Sequence, residues 1–223
     1  MQWCYELVQD RLSALRSAAA AEAWSETAAT AELGRLADVT VGIVVRPAAL
    51  YVETGGVPAL RSLNVFPNRL QEADSVRISE EGHERHMKSA LRGGEVVVVR
   101  SGRPGDAAVI PADGVTRNAV DLLIVRCGNE LDPYFLASFL NSASGRSLML
   151  GRSAGTAQQH LNASQLKRVQ LPLLSLESQK RLSERFRAID TLARHVDDTG
   201  SAARDLVARA RQRLMSPEVA DVR

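Results

Sequence analysis

The feature that most constrains this chain lies near its C-terminus. There Leu182, Phe186, Ile189, Ala193, Val196, Gly200, Ala203, Val207, Ala210 and Leu214 alternate four- and three-residue steps. Such spacing is a heptad seam, and only an α-helix places these residues on one side. At the helical rise the stretch is about 50 Å long, too long for one small domain to cover, so it calls for a partner helix. Glycine and alanine in mid-seam imply either a close approach of that partner or a weak stretch near residues 197–201. A second periodic segment offers itself: Cys4, Val8, Leu12, Leu15 and Ala19 recur at the helical period over the first ~30 residues. The residues expected to pair helices are Leu182, Phe186, Ile189, Val196, Val207 and Leu214, against the first helix of this chain or of a second copy.

Between the helices the texture is β-like. Val39, Val41, Ile43 and Val45 alternate, Tyr51 and Val52 follow, and Pro47, Gly55, Gly56 and Pro58 punctuate them. Val76 and Ile78 suggest another strand, residues 80–91 a short helix, and Gly93-Gly94 a turn. Four consecutive valines mark a buried strand over residues 95–100, and the sheet continues at 107–110 and 119–125. Asp132-Pro133 suits the N-cap and first position of a helix carrying Tyr134, Leu136, Phe139 and Leu140. The sheet is expected to resume at 169–173, with Pro172 ending it or placing it at an edge. The expected fold class is α+β: an N-terminal helix (1–31), a strand-rich domain with short helices (32–174), a long coiled-coil helix (175–215) and a tail (216–223).

With 45% apolar residues among 223, the chain can bury a real core. Its start resembles no secretory signal and no stretch is long enough to span a bilayer, which points to a soluble cytoplasmic protein. Cys4 and Cys127 lie in dissimilar contexts and suggest neither a disulfide framework nor a zinc site. A net charge of +2 does not by itself announce nucleic-acid binding. Its distribution says more, because residues 133–176 contain no Asp or Glu while Arg146, Arg152, Lys167 and Arg168 remain.

Several motifs look chemical and fail on inspection. Asp132-Pro133-Tyr134-Phe135 resembles a shortened Asp-Pro-Pro-aromatic loop of amino-methyltransferases, but one proline is missing and no glycine-rich loop follows an early strand. His83-x-x-His86 places two imidazoles one helical turn apart, short of the ligand number a metal needs. Glu95-Val96-Val97 lacks the lysine of a common metal-dependent nuclease site, and Ser153 and His160 carry no nucleophile-elbow signature. No catalytic centre, metal or cofactor is expected. Two loops are better candidates for binding. Arg100-Ser101-Gly102-Arg103-Pro104-Gly105 can bring backbone amides and guanidinium groups to phosphates, a turn between strands being the plain alternative. Residues 151–162 carry Gln158-Gln159-His160, amide and imidazole groups able to read base edges, a chance polar loop being the plain alternative.

Taken in order, these elements resemble the target-recognition domain of Type I restriction-modification specificity subunits. The matching stretches are Pro58-Ala59-Leu60-Arg61-Ser62-Leu63-Asn64-Val65 and Leu91-Arg92-Gly93-Gly94-Glu95-Val96-Val97-Val98-Val99-Arg100-Ser101-Gly102. Asn118, Pro133-Tyr134-Phe135-Leu136, Phe139-Leu140-Asn141-Ser142 and Gly155-Thr156-Ala157-Gln158-Gln159-His160-Leu161-Asn162 follow, then Leu171-Pro172-Leu173 and Glu177-Ser178-Gln179. The resemblance implies a non-catalytic subunit that binds double-stranded DNA and directs separate methyltransferase and nuclease or translocase subunits in defence against phage. It implies phosphate contacts from Arg100, Ser101, Arg103, Lys167 and Arg168, and base reading by Arg61, Asn64, Thr156, Gln158, Gln159 and His160. Family members typically hold two recognition domains and this chain has room for one, so a homodimer reading a symmetric bipartite target is the expectation, with one domain cut from, or paired with, a different partner as the alternative. The alternatives are a coiled-coil adaptor that binds protein, or the recognition part of a combined restriction enzyme or another defence system.

Overall fold

The computed structural model describes residues 2–27, 29–151 and 160–215. Two helices bracket the chain: α1, Gln2–Glu26, and α7, Leu176–Met215. They pack side by side. Ion pairs join Glu26 to Arg181 and Glu22 to Arg185; one number falls as the other rises, so the helices run antiparallel. The partner the seam requires is thus the first helix of the same chain. Leu182 and Phe186 are buried with Ala19, Ala20 and Ala23, while Ile189 and Val196 are half-buried. The side chains of Cys4, Val8, Leu12, Val207 and Leu214 lie outside the described part. Leu15, expected on the inner face of α1, is half exposed, and the small alanines of the next turns make the close contact instead.

The rest of the chain supplies β1 (Thr30–Glu32), α2 (Leu33–Leu36), β2 (Ala37–Val41), β3 (Tyr51–Val52), β4 (Val57–Leu60), β5 (Val65–Phe66), β6 (Arg69–Leu70) and β7 (Val76–Ile78). Then come α3 (Glu80–Arg85), β8 (Ala90–Leu91), β9 (Val96–Val99), β10 (Ala107–Val109), β11 (Arg117–Ala119) and β12 (Leu122–Cys127). The series closes with α4 (Pro133–Asn141), α5 (Ala143–Leu150), α6 (Ala163–Lys167) and β13 (Gln170–Pro172). A four-stranded sheet has the order β10-β9-β12-β2 and a five-stranded one the order β3-β7-β4-β11-β8. Ribbons β5-β6 and β1-β13 complete the set.

The four-valine strand explains the layering. Successive residues of a strand face opposite sides, and Val96 and Val98 join a core with Phe135, Phe139, Leu182 and Phe186 of the helices. Val97 and Val99 join a second core with Leu60, Leu91, Ala119 and Ile124. The central sheet is therefore covered by helices on one face and by the five-stranded sheet on the other, which is why no polar residue interrupts β9. Asp132 caps α4 by accepting from the Phe135 N–H at 2.7 Å, with Pro133 in the first turn, as the sequence predicts.

Four expectations need correction. The helix expected over 80–91 stops at Arg85, because Ala90 and Leu91 form β8 on the edge of β11. The single strand expected over 119–125 is two: Asp121 turns the chain at φ 51°, passing it from one sheet to the other. The strand expected at 169–173 pairs with β1 in a separate ribbon, not in the main sheet. The alternation from Val39 to Val45 outlasts its strand, since β2 ends at Val41 and Val45 is exposed.

Candidate functional site

One end of the central sheet gathers the loops that carry candidate chemistry. Gly42 follows β2, Arg100 follows β9 and Asp121 precedes β12, and β12 is hydrogen-bonded to both other strands. The Arg100 guanidinium donates to Asp121 Oδ1 at 2.7 Å and, through its other terminal nitrogen, to His160 Nε2 at 2.6 Å. Since arginine only donates, Nε2 accepts; the ring proton then sits on Nδ1 and faces Ser101 Oγ at 2.7 Å. The Leu161 N–H donates to the Arg100 carbonyl at 2.9 Å. Three residues predicted for two different roles, Arg100, Ser101 and His160, thus form one cluster. The Arg100 side chain is only 14% exposed and is bound to its carboxylate, so it holds the cluster together instead of standing free as a phosphate clamp.

Arg103 leans the other way from the same loop. Its guanidinium lies 4.2 Å over the Phe66 ring and donates to the Val65 and Ser62 carbonyls at 3.1 and 3.3 Å. Asp106 lies 3.5 Å from Arg103 and also pairs with Arg146. Arg146, counted in the acid-free window as an available cation, therefore has its acid from outside that window. Arg61 donates to the Asp74 carbonyl at 3.3 Å and remains half-buried.

Asn64 corrects the base-reading set. It is 1% exposed, its amide oxygen accepts from the Arg61 N–H at 2.9 Å, and its amide nitrogen donates to the Gln71 carbonyl at 3.0 Å. A buried amide with both ends committed braces the 61–71 turn and cannot present itself to a base edge. Thr156, Gln158 and Gln159 lie outside the described residues.

Lys167 and Arg168 are exposed at the end of α6, which Asn162 and Gln165 cap reciprocally. Lys167 lines a shallow depression of about 370 Å³ with Arg35, Asp38, Arg126 and Gly128. Gly128 follows β12, whereas Asp121 precedes it, so these cations stand about one six-residue strand, roughly 20 Å, from the Arg100 cluster. The structure does not bring the two predicted phosphate groups together.

Sequence reasoning missed the acids and amides that hold these elements. Glu95 pairs with Arg126 at 2.7 Å, and Arg117 sits between Glu72 and Asp113 at 2.7 Å each. These partners hold the Asp113 carboxyl well below, and the Arg117 guanidinium above, their ordinary ranges. Asn68 and Asp121 adopt positive φ without being glycine; Pro67-Asn68 was the available signal, as asparagine tolerates that conformation. The imidazoles of the His-x-x-His pair are engaged, His83 with Asn118 and His86 with the Gly82 carbonyl. Burial, with Asp132 adding to it, pushes the Cys127 thiol up to about 12, so that sulfur stays protonated and inert. Among the described residues no His, Cys, Asp and Glu cluster suits a metal ion, and no helix is long and apolar enough to cross a membrane.

The sequence pattern of the Type I restriction modification DNA specificity domain matches residues 47–196. The chain belongs to this family. Specificity subunits of Type I restriction-modification systems are non-catalytic DNA-recognition proteins. The fold agrees with solved structures of the class. A chain from a study of the assembly and conformational transition of the type I R-M system matches with a TM-score of 0.63 and 16% identity, over 92% of this chain and 52% of its own. The HsdS subunit from Thermoanaerobacter tengcongensis matches at 0.61 and 18%, over 89% and 48%. The S subunit from M. genitalium matches at 0.56 and 11%, over 91% and 55%. This chain spans about half the length of these relatives. No curated protein matches it by sequence.

Proposed function

We propose that this chain reads one half of a bipartite target in double-stranded DNA and directs a separate methyltransferase, and a nuclease or translocase, to it from the cytoplasm in defence against phage. Residues 32–174 serve as the recognition domain and residues 175–215 as the spacer helix. The observation that carries this reading is the match to the DNA specificity domain over residues 47–196, on a fold shared with the HsdS subunit structures. A second copy related by a two-fold supplies the other half, so the target is symmetric and its half-sites lie a fixed distance apart. Exposed leucines support the pairing: Leu192 and Leu206 of α7, each next to a seam position, are 51% and 67% exposed.

Within the recognition domain, Lys167 and Arg168 contact phosphates, and Ser101 and Arg103 fix a second phosphate from the hairpin loop. Arg61, Thr156, Gln158, Gln159 and His160 face the bases. Arg100 acts by holding His160. Loss of a phosphate contact weakens binding to every sequence, whereas loss of a base contact changes which sequence wins. The adaptor reading has no comparable support, because the family that matches is a DNA specificity domain.

The experiment is the mass of the purified chain in solution, alone and co-expressed with a methyltransferase subunit. The expected result is a dimer and a stoichiometric complex. A folded monomer that ignores the methyltransferase, and also DNA at low salt, would overturn the reading.

A further inference from the structure

One buried carboxylate on the long helix ties together three separate parts of the recognition domain. Asp190, 6% exposed, accepts through Oδ2 from the Tyr134 hydroxyl at 2.6 Å and from Asn68 Nδ2 at 2.8 Å. Asn68 Nδ2 also lies 3.1 Å from Ser138 Oγ, and Asn68 Oδ1 accepts from Asn141 Nδ2 at 3.0 Å. Asn141 grips both backbone groups of Ala107 at 2.8 and 3.0 Å. Ala107 follows Asp106, which pairs with Arg103, so this chain of bonds runs from α7 to the base of the 100–106 loop. Arg187 lies 4.1 Å over the Tyr134 ring, and Arg194 donates to the Asp190 carbonyl at 3.4 Å.

A second polar anchor sits at the start of the same helix. Gln179 accepts from the Asp132 N–H at 2.8 Å and donates to the Glu130 and Leu174 carbonyls at 2.8 and 3.1 Å, while Ser183 donates to Asp132 at 2.6 Å. The apolar contacts of Leu182 and Phe186 are non-directional and tolerate small rotations of the helix. Hydrogen bonds at two levels, about 16 Å apart along the axis, tolerate neither rotation nor tilt without leaving buried polar groups unpaired.

We propose that the Asp190–Tyr134–Asn68 hub is a positioning device that fixes the angle of the recognition loops on the long helix and thereby selects the spacing between half-sites. The selection of spacing rests on the bipartite reading above; the fixing of the angle does not. Two measurements on the full chain separate them. In a Cys4→Ser, Cys127→Ser background, spin labels at the exposed Leu63 and Asp205 positions, diluted with unlabelled chain, report the distance across the domain–helix junction. Wild type and Asp190→Asn, which keeps an acceptor for the tyrosine, give one narrow distribution; Tyr134→Phe and Asp190→Ala broaden it. In a selection from duplexes carrying paired half-sites at varied spacing, the two broadened variants lose about tenfold of the spacing preference and keep the half-site sequence. Tyr134→Phe, which removes one hydroxyl, carries the test if Asp190→Ala does not fold. Folded variants with the wild-type distance distribution would overturn the hub. Broadened variants with unchanged spacing preference would overturn its role in selection. A wild-type chain that selects no paired half-sites would refute the bipartite reading and that role with it, leaving the distance measurement to decide the angle.

Discussion

The two halves of α7 live under different rules. Up to about Asp190 the helix is part of the domain core, with Leu182, Phe186, Gln179 and Ser183 buried. Beyond it, among the described residues, Ala193 is the last buried side chain of the helix, and Leu192 and Leu206 stand out in solvent. The same heptad pattern runs through both halves. Periodicity therefore reports which face of a helix is apolar and not how deeply it is covered: the proximal half is buried against α1, α4 and the sheet, whereas Val196, Gly200 and Ala203 of the distal seam are only half-buried.

The two halves should differ most at Phe186. Phe186→Ala should cost about 3–5 kcal/mol in denaturant unfolding, whereas Leu206→Ala should stay within about 0.5 kcal/mol in a monomeric state. Equal losses would mean that the distal half is core as well. Arg117→Met probes the domain end. Asp113 has a folded-state pKa below its ordinary value, so its contribution is complete above the unfolded value and is lost as pH falls through the folded one. The variant should thus be less stable than wild type at neutral pH, with the gap closing in acid; a gap independent of pH would rule out the ion pairs as its cause. Leu192→Glu with Leu206→Glu should leave the melting curve of the recognition domain nearly unchanged and convert a dimer to a monomer by mass. The smallest effect is expected at Lys167→Ala, which should weaken binding to all DNA sequences alike and reduce the slope of log K against log salt by about 1. A change in sequence preference would instead move Lys167 among the base-reading groups.

Much of the frame was legible because its signals are local. The valine run, the Asp132-Pro133 cap and the two long helices are each written within a few turns or one strand. What was hidden depends on partners distant in the chain. Asn64 looks like an available amide until the 61–71 turn closes around it, and Arg100 looks like a free cation until Asp121, at positive φ, meets it across two strands. Asp190 lies 122 residues from Asn68 and reads as an ordinary polar position on an exposed helix face. Residues 86–91 left the expected helix because a sheet edge was open to them, which no local pattern announces. The site was less legible than the fold for the same reason: side chains of the right type were found, but their commitments to one another were not.

The proposed function requires that this chain carry sequence information for DNA. It is tested most directly by selecting bound duplexes from a random double-stranded library with the purified chain at rising salt, and sequencing what remains. The expected result is enrichment of one two-fold-symmetric sequence with half-sites at a single spacing, persisting after non-specific DNA has been released. Retention that falls to background with salt and enriches no sequence would contradict it.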